Sequence, residues 1–218
     1  MSDIKLVVLD LDGTVVKYDG RWHSSWDAIG FASGRKDQYD RLCAYYYPRK
    51  NQYNEWIQKI AGLLDGCLVS DVKKYIFPPP YLDGVKDTVA FLGAEGCVCG
   101  LLTSGVDIVA DRVKQDMHLD FSVSNRLIVR DGVFSGNCEH VVNLWHKEKK
   151  LIDLCRKFGV SLKDTLFIGD NENDISSMKV CGRSIAFSPK TDEVRDAADV
   201  SFESWSGIKK YIEDSILS

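Results

Sequence analysis

The sequence has no apolar run that approaches the roughly 18–20 residues needed for a membrane-spanning helix. It also has no excess of basic residues, since 28 Lys and Arg stand against 32 Asp and Glu. The net charge of −4 argues against a general nucleic-acid binder, which would present a basic face. Residues 1–6 lack the apolar core of a secretory signal and lead directly into a strand-like segment.

Cysteine is present, but it is not arranged as in disulfide-rich secreted proteins. The seven cysteines are an odd number at irregular spacing, which predicts reduced thiols in a cytoplasmic chain. With 218 residues, 44% of them hydrophobic and 28% charged, the chain can bury a sizeable core. We therefore expect a cytoplasmic globular protein, a monomer or a homodimer, with neither nucleic-acid nor membrane partners.

Short apolar runs alternate with helical patterns along most of the chain. The runs are rich in β-branched residues and predict strands covered on both faces, at 4–9, 97–102, 165–168 and 184–187. Helical periodicity occurs at 106–117, 151–158 and 205–216. This alternation predicts an α/β fold with a doubly wound parallel sheet. Asp131-Gly132 lies between two further apolar runs and predicts a β-hairpin.

Residues 17–80 interrupt the alternation. They have helical spacing and no convincing strand, they end at three consecutive prolines, and they hold much of the aromatic content, namely Trp22, Trp26, Trp56 and the tyrosines at 45–47. They could be a helical subdomain that only adds to the core. We favour a mobile helical cap inserted after the first strand, which predicts a core of 1–16 and 81–218 and a cap of 17–80.

Polar residues follow the predicted strands where each one ends. Asp10 and Asp12 follow the first strand, Thr103 and Ser104 the second, and the segment 170–174 the third. Lys147 precedes the helix that leads into the third of these strands. Because ligands of an open α/β sheet bind beyond the carboxyl ends of its strands, we expect these groups to meet at one edge.

The carboxylates in this set require a counter-charge. Two carboxylates about 4 Å apart repel by roughly 4 kcal/mol at an effective dielectric near 20, so Asp10, Asp12, Asp170 and Asp174 together need a cation. The candidate metal ligands are all oxygen atoms and the carboxylates are few, which favours Mg²⁺ over Ca²⁺. With the metal bound, Thr103, Lys147 and backbone N–H groups could bind a phosphate.

The pair Asp10 and Asp12 suits covalent phosphoryl transfer. Residues two apart in a strand point the same way, so one carboxylate can attack phosphorus while the other handles protons. We predict Asp10 as nucleophile and Asp12 as general acid and then general base, a role that requires a raised pKa at Asp12.

Three simpler interpretations remain open for these residues. The two aspartates could form a solvated turn, and Thr103 could cap the helix that begins near Asp107. Lys149 or Lys150 could take the place of Lys147.

Taken together, the segment 10–14, Thr103, Lys147 and the segment 169–174 resemble, in order, the four motifs of the haloacid dehalogenase-like superfamily. Within it, the chain is most similar to the phosphoserine phosphatase group. The resemblance implies Mg²⁺ held by the carboxylates of Asp10 and Asp170 and the carbonyl of Asp12. It also implies that Thr103 and Lys147 bind the phosphate, and that Asn173 and Asp174 support the metal and the lysine.

The chain departs from that group in its presumed cap. Asp19 stands where the group usually has a glutamate that reads the substrate amine, and Ser104 stands where glycine is usual. The segment 53–60 lacks the arginine that would bind a substrate carboxylate, which argues against phosphoserine itself. The cap aromatics suggest a larger or more aromatic substrate, although such residues more often form the core of the cap itself.

The function predicted from the sequence is a Mg²⁺-dependent phosphatase that hydrolyses a small phosphorylated metabolite through an aspartyl-phosphate. The residues predicted to contact the substrate are Asp19, Thr103, Ser104, Lys147 and Asn173. One alternative is phosphotransfer to an acceptor alcohol such as homoserine. The other is binding of a phosphorylated ligand without turnover.

Overall fold

The fold is built on one seven-stranded sheet. In a computed structural model, residues 4–18 and 23–215 are described, and their strands are β1 (Leu6–Leu9), β2 (Val98–Val106), β3 (Phe121–Arg130), β4 (Val133–Glu139), β5 (Thr165–Gly169), β6 (Arg183–Phe187) and β7 (Val200–Phe202). They are arranged in the order β4-β3-β2-β1-β5-β6-β7. All neighbouring pairs are parallel except β3 and β4, which pair antiparallel at one edge.

Helices connect these strands. They are α1 (Ser25–Ala32), α2 (Lys36–Tyr46), α3 (Tyr53–Gly62), α4 (Val69–Ile76), α5 (Val85–Ala94), α6 (Asp107–Asp116), α7 (Lys147–Phe158), α8 (Ile175–Met178), α9 (Asp192–Ala197) and α10 (Trp205–Ser215). Short 3₁₀ turns occur at Lys50–Gln52, Leu162–Asp164 and Glu172–Asp174. Among the described residues, no helix is both long and apolar enough to cross a bilayer.

The central strand β1 shows why the sheet is covered on both faces. Its four residues are all apolar and buried, and their side chains alternate between the two faces. Leu6 and Val8 pack with residues of α7, α8 and α9, whereas Val7 and Leu9 pack with residues of α5, α6 and α10. The predicted doubly wound α/β fold is therefore confirmed, with an antiparallel edge strand added to the parallel sheet.

The edge hairpin is formed where the sequence predicts it. Asp131 and Gly132 connect β3 to β4 and have φ values of 50° and 78°. Positive φ at both central residues is the geometry of a tight hairpin turn, which Asp-Gly adopts readily. The helical pattern of the segment after β1 is also observed, as α1 to α4.

The second strand is longer than the sequence predicts. β2 continues to Val106, with a shift in its pairing to β3 between Leu102 and Val106. Thr103 and Ser104 therefore lie in the distal part of an extended strand and not in a loop after it. All seven cysteines are free thiols.

Candidate active site

Lys147 lies at the centre of the cluster predicted from the sequence. It is the first residue of α7 and is fully buried. Its Nζ lies 2.6 Å from Oδ1 of Asp10 and 2.7 Å from Oδ1 of Asp174. Burial by itself lowers the pKa of a lysine, but the two carboxylates outweigh it and raise the pKa of Lys147 above its usual range. The two alternative lysines named in the sequence analysis lie outside the cluster, since Lys149 is exposed and Lys150 pairs with Asp153.

Three buried carboxylates face one another beside this lysine. One carboxylate oxygen from each of Asp10, Asp170 and Asp174 lies within 4.8 Å of the others. Burial raises the pKa of both Asp170 and Asp174, and the negative charge of Asp10 adds to this rise. A cluster of carboxylate oxygens of this kind fits a hard divalent cation.

The carboxylate of Asp174 already has several partners. Its Oδ1 accepts from Lys147, and its Oδ2 accepts from the backbone N–H groups of Asp170 at 3.1 Å and Asn171 at 3.2 Å. It also completes a capping box with Asn171 at the 3₁₀ turn Glu172–Asp174. Both oxygens of Asp174 thus accept hydrogen bonds, and one of them helps to hold the Nζ of Lys147 in place.

Lys190 was not singled out by the sequence analysis. Its Nζ lies 2.8 Å from Oδ2 of Asp170, and its backbone N–H donates to the carbonyl of the same aspartate at 3.0 Å. Lys190 comes shortly after β6, so the rule that ligands bind beyond the carboxyl ends of the strands could have found it. It adds a second ammonium group to the site.

Asp12 is directed towards the first helix after β1. The backbone N–H of Ser25 donates to Oδ1 of Asp12 at 2.8 Å, and the Ser25 hydroxyl donates to Oδ2 at 2.8 Å. Burial and the charge of Asp10 raise the pKa of Asp12 to about 7, although the Ser25 hydrogen bonds lower it. A carboxyl with this pKa can donate or accept a proton near neutral pH. Ser25 is a second residue that the sequence analysis missed.

The end of β2 is connected to the helices after β1 through its main chain. The Ser104 carbonyl accepts from the Trp26 indole at 3.0 Å and from the Asn125 amide at 2.8 Å. Thr103 is buried, and its hydroxyl accepts from the N–H of Gly105 at 2.9 Å. Val106 precedes α6 without a side-chain cap, so Thr103 does not cap that helix.

The other residues considered in the sequence analysis do not all lie at the cavity. Asn173 is 9% exposed and lies beside the same cavity as Asp10, with its amide 3.5 Å from Oδ1 of Asp174. Glu172 is exposed. Asp19 lies outside the described residues.

Gly13 allows the loop after β1 to pass close to the carboxylates. Its φ is +95°, and a Cβ atom at this position would lie 2.2 Å from Oδ2 of Asp170. Only glycine combines this backbone conformation with this close approach. The Thr14 hydroxyl, next in the loop, donates to Oδ1 of Asp170 at 3.2 Å.

A cavity of about 250 Å³ opens above Asp10. The sheet edge supplies a polar floor, which includes Asp10, Asp12, Thr103, Asn173 and Lys190. The segment 23–76, which we call the helical segment, covers this floor with mainly aromatic and aliphatic side chains. The site thus combines a charged floor with an apolar roof.

Comparisons with known proteins agree with this geometry. A model of the haloacid dehalogenase-like hydrolase family matches residues 4–182. The phosphoserine phosphatase of Methanocaldococcus jannaschii is 29% identical over 200 residues, covering 91% of this chain and 92% of the relative. That of Albidiferax ferrireducens is 29% identical over 222 aligned positions, covering 98% and 90%.

Solved structures show the same similarity. A phospho-aspartyl intermediate analogue of phosphoserine phosphatase superposes with a TM-score of 0.80 at 29% identity, covering 96% of this chain and 99% of the other. A substrate-bound phosphoserine phosphatase complex superposes with a TM-score of 0.81 at 28% identity, covering 97% and 99%.

Proposed function

Because the chain belongs to the haloacid dehalogenase-like hydrolase family, we propose that it is a divalent-metal-dependent phosphatase that hydrolyses a small phosphomonoester through an aspartyl-phosphate on Asp10. The family predicted from the four motifs is thereby confirmed. The observation that carries the proposal is the position of Asp10, on the cavity floor and hydrogen-bonded to the buried Lys147.

The proposed metal is Mg²⁺. The carboxylates of Asp10 and Asp170 and the carbonyl of Asp12 are its proposed ligands, and the oxygen-only cluster supports a hard ion. When bound, the metal would supply positive charge that offsets the carboxylates and orients the phosphate. Lys190 contributes further positive charge on the same side of the site.

Asp10 is the proposed nucleophile. Lys147 holds one of its oxygens at 2.6 Å and leaves the other for attack on phosphorus. As the bond from Asp10 to phosphorus forms, the bond from phosphorus to the substrate oxygen breaks, and Asp12 donates its proton to the departing alcohol. Asp12 then takes a proton from the water that hydrolyses the aspartyl-phosphate. The raised pKa of Asp12, about 7, supports both halves of this role.

Thr103, Ser104, Lys147 and Asn173 are proposed substrate contacts, and of these Thr103 and Lys147 would bind the phosphate. Three of the four line the cavity floor, and Lys147 lies directly behind Asp10. Hydrogen bonds from charged donors to a phosphate are stronger than neutral ones, so Lys147 and Lys190 should contribute most to binding.

Residues 17–80 are proposed to act as a cap over the core formed by 1–16 and 81–218. The contacts of Ser25 with Asp12 and of Trp26 with Ser104 support a cap that completes the site when it closes. We also propose a cytoplasmic location, which the seven free thiols support.

The test is the variant Asp10→Asn, assayed with Mg²⁺ on a panel of phosphomonoesters that includes phosphoserine. We expect kcat to fall by at least about a thousandfold, because an amide is a poor nucleophile and the covalent step is lost. A base-labile phosphoprotein should be trapped in the wild type during turnover and be absent from the variant. Asp153→Asn, on the exposed side of α7, is the matched control and should behave as the wild type.

Near-wild-type, Mg²⁺-dependent turnover by Asp10→Asn would overturn the covalent step. The same assay separates hydrolysis from phosphotransfer when homoserine is added. We expect inorganic phosphate as the product, in line with the phosphatase names of the relatives. Accumulation of phosphohomoserine would instead establish the transferase alternative.

A further inference from the structure

The roof of the cavity is more apolar than a site for a charged metabolite requires. The side chains that the helical segment turns towards the cavity include Trp26, Tyr39, Tyr53, Trp56, Ile57 and Ile60. All six are buried. Leu144, on the core side, continues the same apolar wall. The part of a substrate that extends away from the phosphate must therefore contact rings and aliphatic groups.

The hydrogen-bonding groups of two of these aromatic residues already form hydrogen bonds with residues outside the helical segment. The Trp26 indole N–H donates to the Ser104 carbonyl at 3.0 Å. The Tyr53 hydroxyl accepts from the Asn125 amide at 3.1 Å. These two side chains therefore offer their apolar surface to a bound molecule more than their hydrogen-bonding groups.

Among the described residues of the helical segment, no lysine or arginine lines the cavity. Lys59, on the same helix as Trp56 and Ile57, is exposed, and Lys36 is bound by Asp27 at 3.0 Å. Of the described residues of this segment that line the cavity, only His23 can carry a positive charge, and it is exposed to solvent. A carboxylate buried under the roof would therefore face no described lysine or arginine of this segment, which is costly. The buried indole N–H of Trp56, which has no hydrogen-bond partner among the described residues, is a neutral donor and does not balance such a charge.

We propose that the site prefers phosphomonoesters whose leaving group is apolar and carries no carboxylate, with a bulk close to that of one aromatic ring. The proposal rests on the proposed phosphatase function and specifies its substrate class. A dry apolar cavity of about 150 Å³ can take up benzene. The cavity of about 250 Å³ therefore has room for a phosphate group on its floor and one such group beneath its roof.

The first test compares four primary alkyl phosphates, whose intrinsic reactivities are similar. They are benzyl phosphate, 3,3-dimethylbutyl phosphate, phosphocholine and phosphoserine, and kcat/KM is measured for each with Mg²⁺. The second and third have nearly the same shape but differ by one positive charge, so their ratio isolates the effect of charge. We expect both apolar esters to exceed phosphoserine by at least about tenfold, the scale on which pockets discriminate. We expect 3,3-dimethylbutyl phosphate to be hydrolysed at least as efficiently as phosphocholine, although aromatic rings can attract a quaternary ammonium group.

A preference for the apolar esters over phosphoserine below about tenfold, or a preference for phosphocholine over 3,3-dimethylbutyl phosphate, would overturn the proposal while leaving the phosphatase function intact. Failure to hydrolyse all four esters and methyl phosphate as well would instead overturn the phosphatase function. The two failures are therefore distinguishable.

The second test changes the roof itself. Trp56→Ala should lower kcat/KM for benzyl phosphate by at least about tenfold, because it removes a large apolar contact. It should change kcat/KM for methyl phosphate by less than about threefold, because a methyl group leaves the apolar contact of the roof largely unused. The ratio of the two substrates does not depend on the fraction of folded protein. Tyr75→Ala, an exposed aromatic on α4, is the control and should leave the ratio unchanged. An unchanged ratio in Trp56→Ala would contradict the proposal.

Discussion

Asp12 receives both of its Ser25 hydrogen bonds from a helix that lies outside the sheet. One comes from the backbone N–H and the other from the hydroxyl, each at 2.8 Å. Both stabilise the charged form of the carboxyl, so they oppose the effect of burial on its pKa. If Asp12 has its proposed role, Ser25 is a positioning residue that acts on the reaction through the orientation and the pKa of Asp12.

Removal of the Ser25 hydroxyl should change the pH profile of the enzyme. In Ser25→Ala the backbone hydrogen bond remains, so we expect kcat to fall by only about three- to tenfold. Loss of a bond that lowers the pKa of Asp12 should raise this pKa above about 7. Because Asp12 must be protonated to act as an acid, the alkaline limb of the kcat/KM profile should move to higher pH.

The control is Ser24→Ala, which removes the N-cap of α1 and its bond to Asp27 but does not touch Asp12. It should leave the alkaline limb in place. An alkaline limb that stays in place, or moves to lower pH, in Ser25→Ala would show that the hydroxyl does not act on Asp12.

At the scale of elements, the last helix supports the loop that follows the first strand. Trp205 begins α10, is fully buried and stacks on Phe187 at a ring distance of 5.5 Å. Its indole N–H donates to the carbonyl of Thr14 at 2.9 Å. Thr14 in turn donates to Asp170. The C-terminal helix is thus connected to the carboxylate cluster through two hydrogen bonds.

We expect Trp205→Phe to destabilise the protein by about 1–3 kcal/mol, because the Thr14 carbonyl would lose a buried partner. Urea denaturation measures this loss. Tyr211→Phe on the same helix is the control, since that side chain is only partly buried, and its stability should be close to that of the wild type. A Trp205→Phe protein as stable as the wild type would mean that the loop does not depend on α10.

At the scale of the whole molecule, three buried carboxyl groups of the site lower stability at neutral pH when no metal is bound. Burial raises the pKa of Asp12, Asp170 and Asp174 above the values that these groups have in the unfolded chain. Between the unfolded and folded pKa values, the folded state binds more protons than the unfolded state. Its stability therefore falls as the pH rises through this window, from about 4 to about 7.

A bound metal ion should offset this loss of stability at higher pH. In the presence of EDTA, we expect the free energy of unfolding to be lower at pH 8 than at pH 5. Mg²⁺ should increase it more at pH 8, where the carboxylates bind the ion without first losing protons. Thermal and urea denaturation at both pH values, with and without Mg²⁺, measure the effect.

Asp12→Asn removes one of the three groups and should show a smaller decrease with pH in EDTA. An equal gain from Mg²⁺ at pH 5 and pH 8 would contradict the assignment of this cluster as a metal site.

Much of the fold follows from local signals in the chain. The apolar run at 4–9 and the Asp131-Gly132 pair predict β1 and the edge hairpin, because strand burial and turn geometry depend on neighbouring residues. The predicted end of the second strand, at residue 102, was wrong, because β2 continues to Val106. Pairing with β3 extends this strand past Thr103, and no local feature of residues 103–106 specifies that pairing.

The four motifs that contain Asp10, Thr103, Lys147 and Asp170, taken in order, were sufficient to predict the family. Asp10 and Asp170 follow strands, Lys147 begins a helix and Thr103 lies in the distal part of a strand, and all of these elements can be recognised locally. Only the tertiary structure decided which groups surround them: Ser25 on Asp12, Lys190 on Asp170, and the aromatic roof over the floor. The contact of Lys190 depends on the pairing of β5 with β6, which brings the segments after these two strands together. The Ser25 contact and the roof depend on how the helices after β1 dock on the sheet, and the free energy of that docking comes from surfaces that no single stretch of sequence contains.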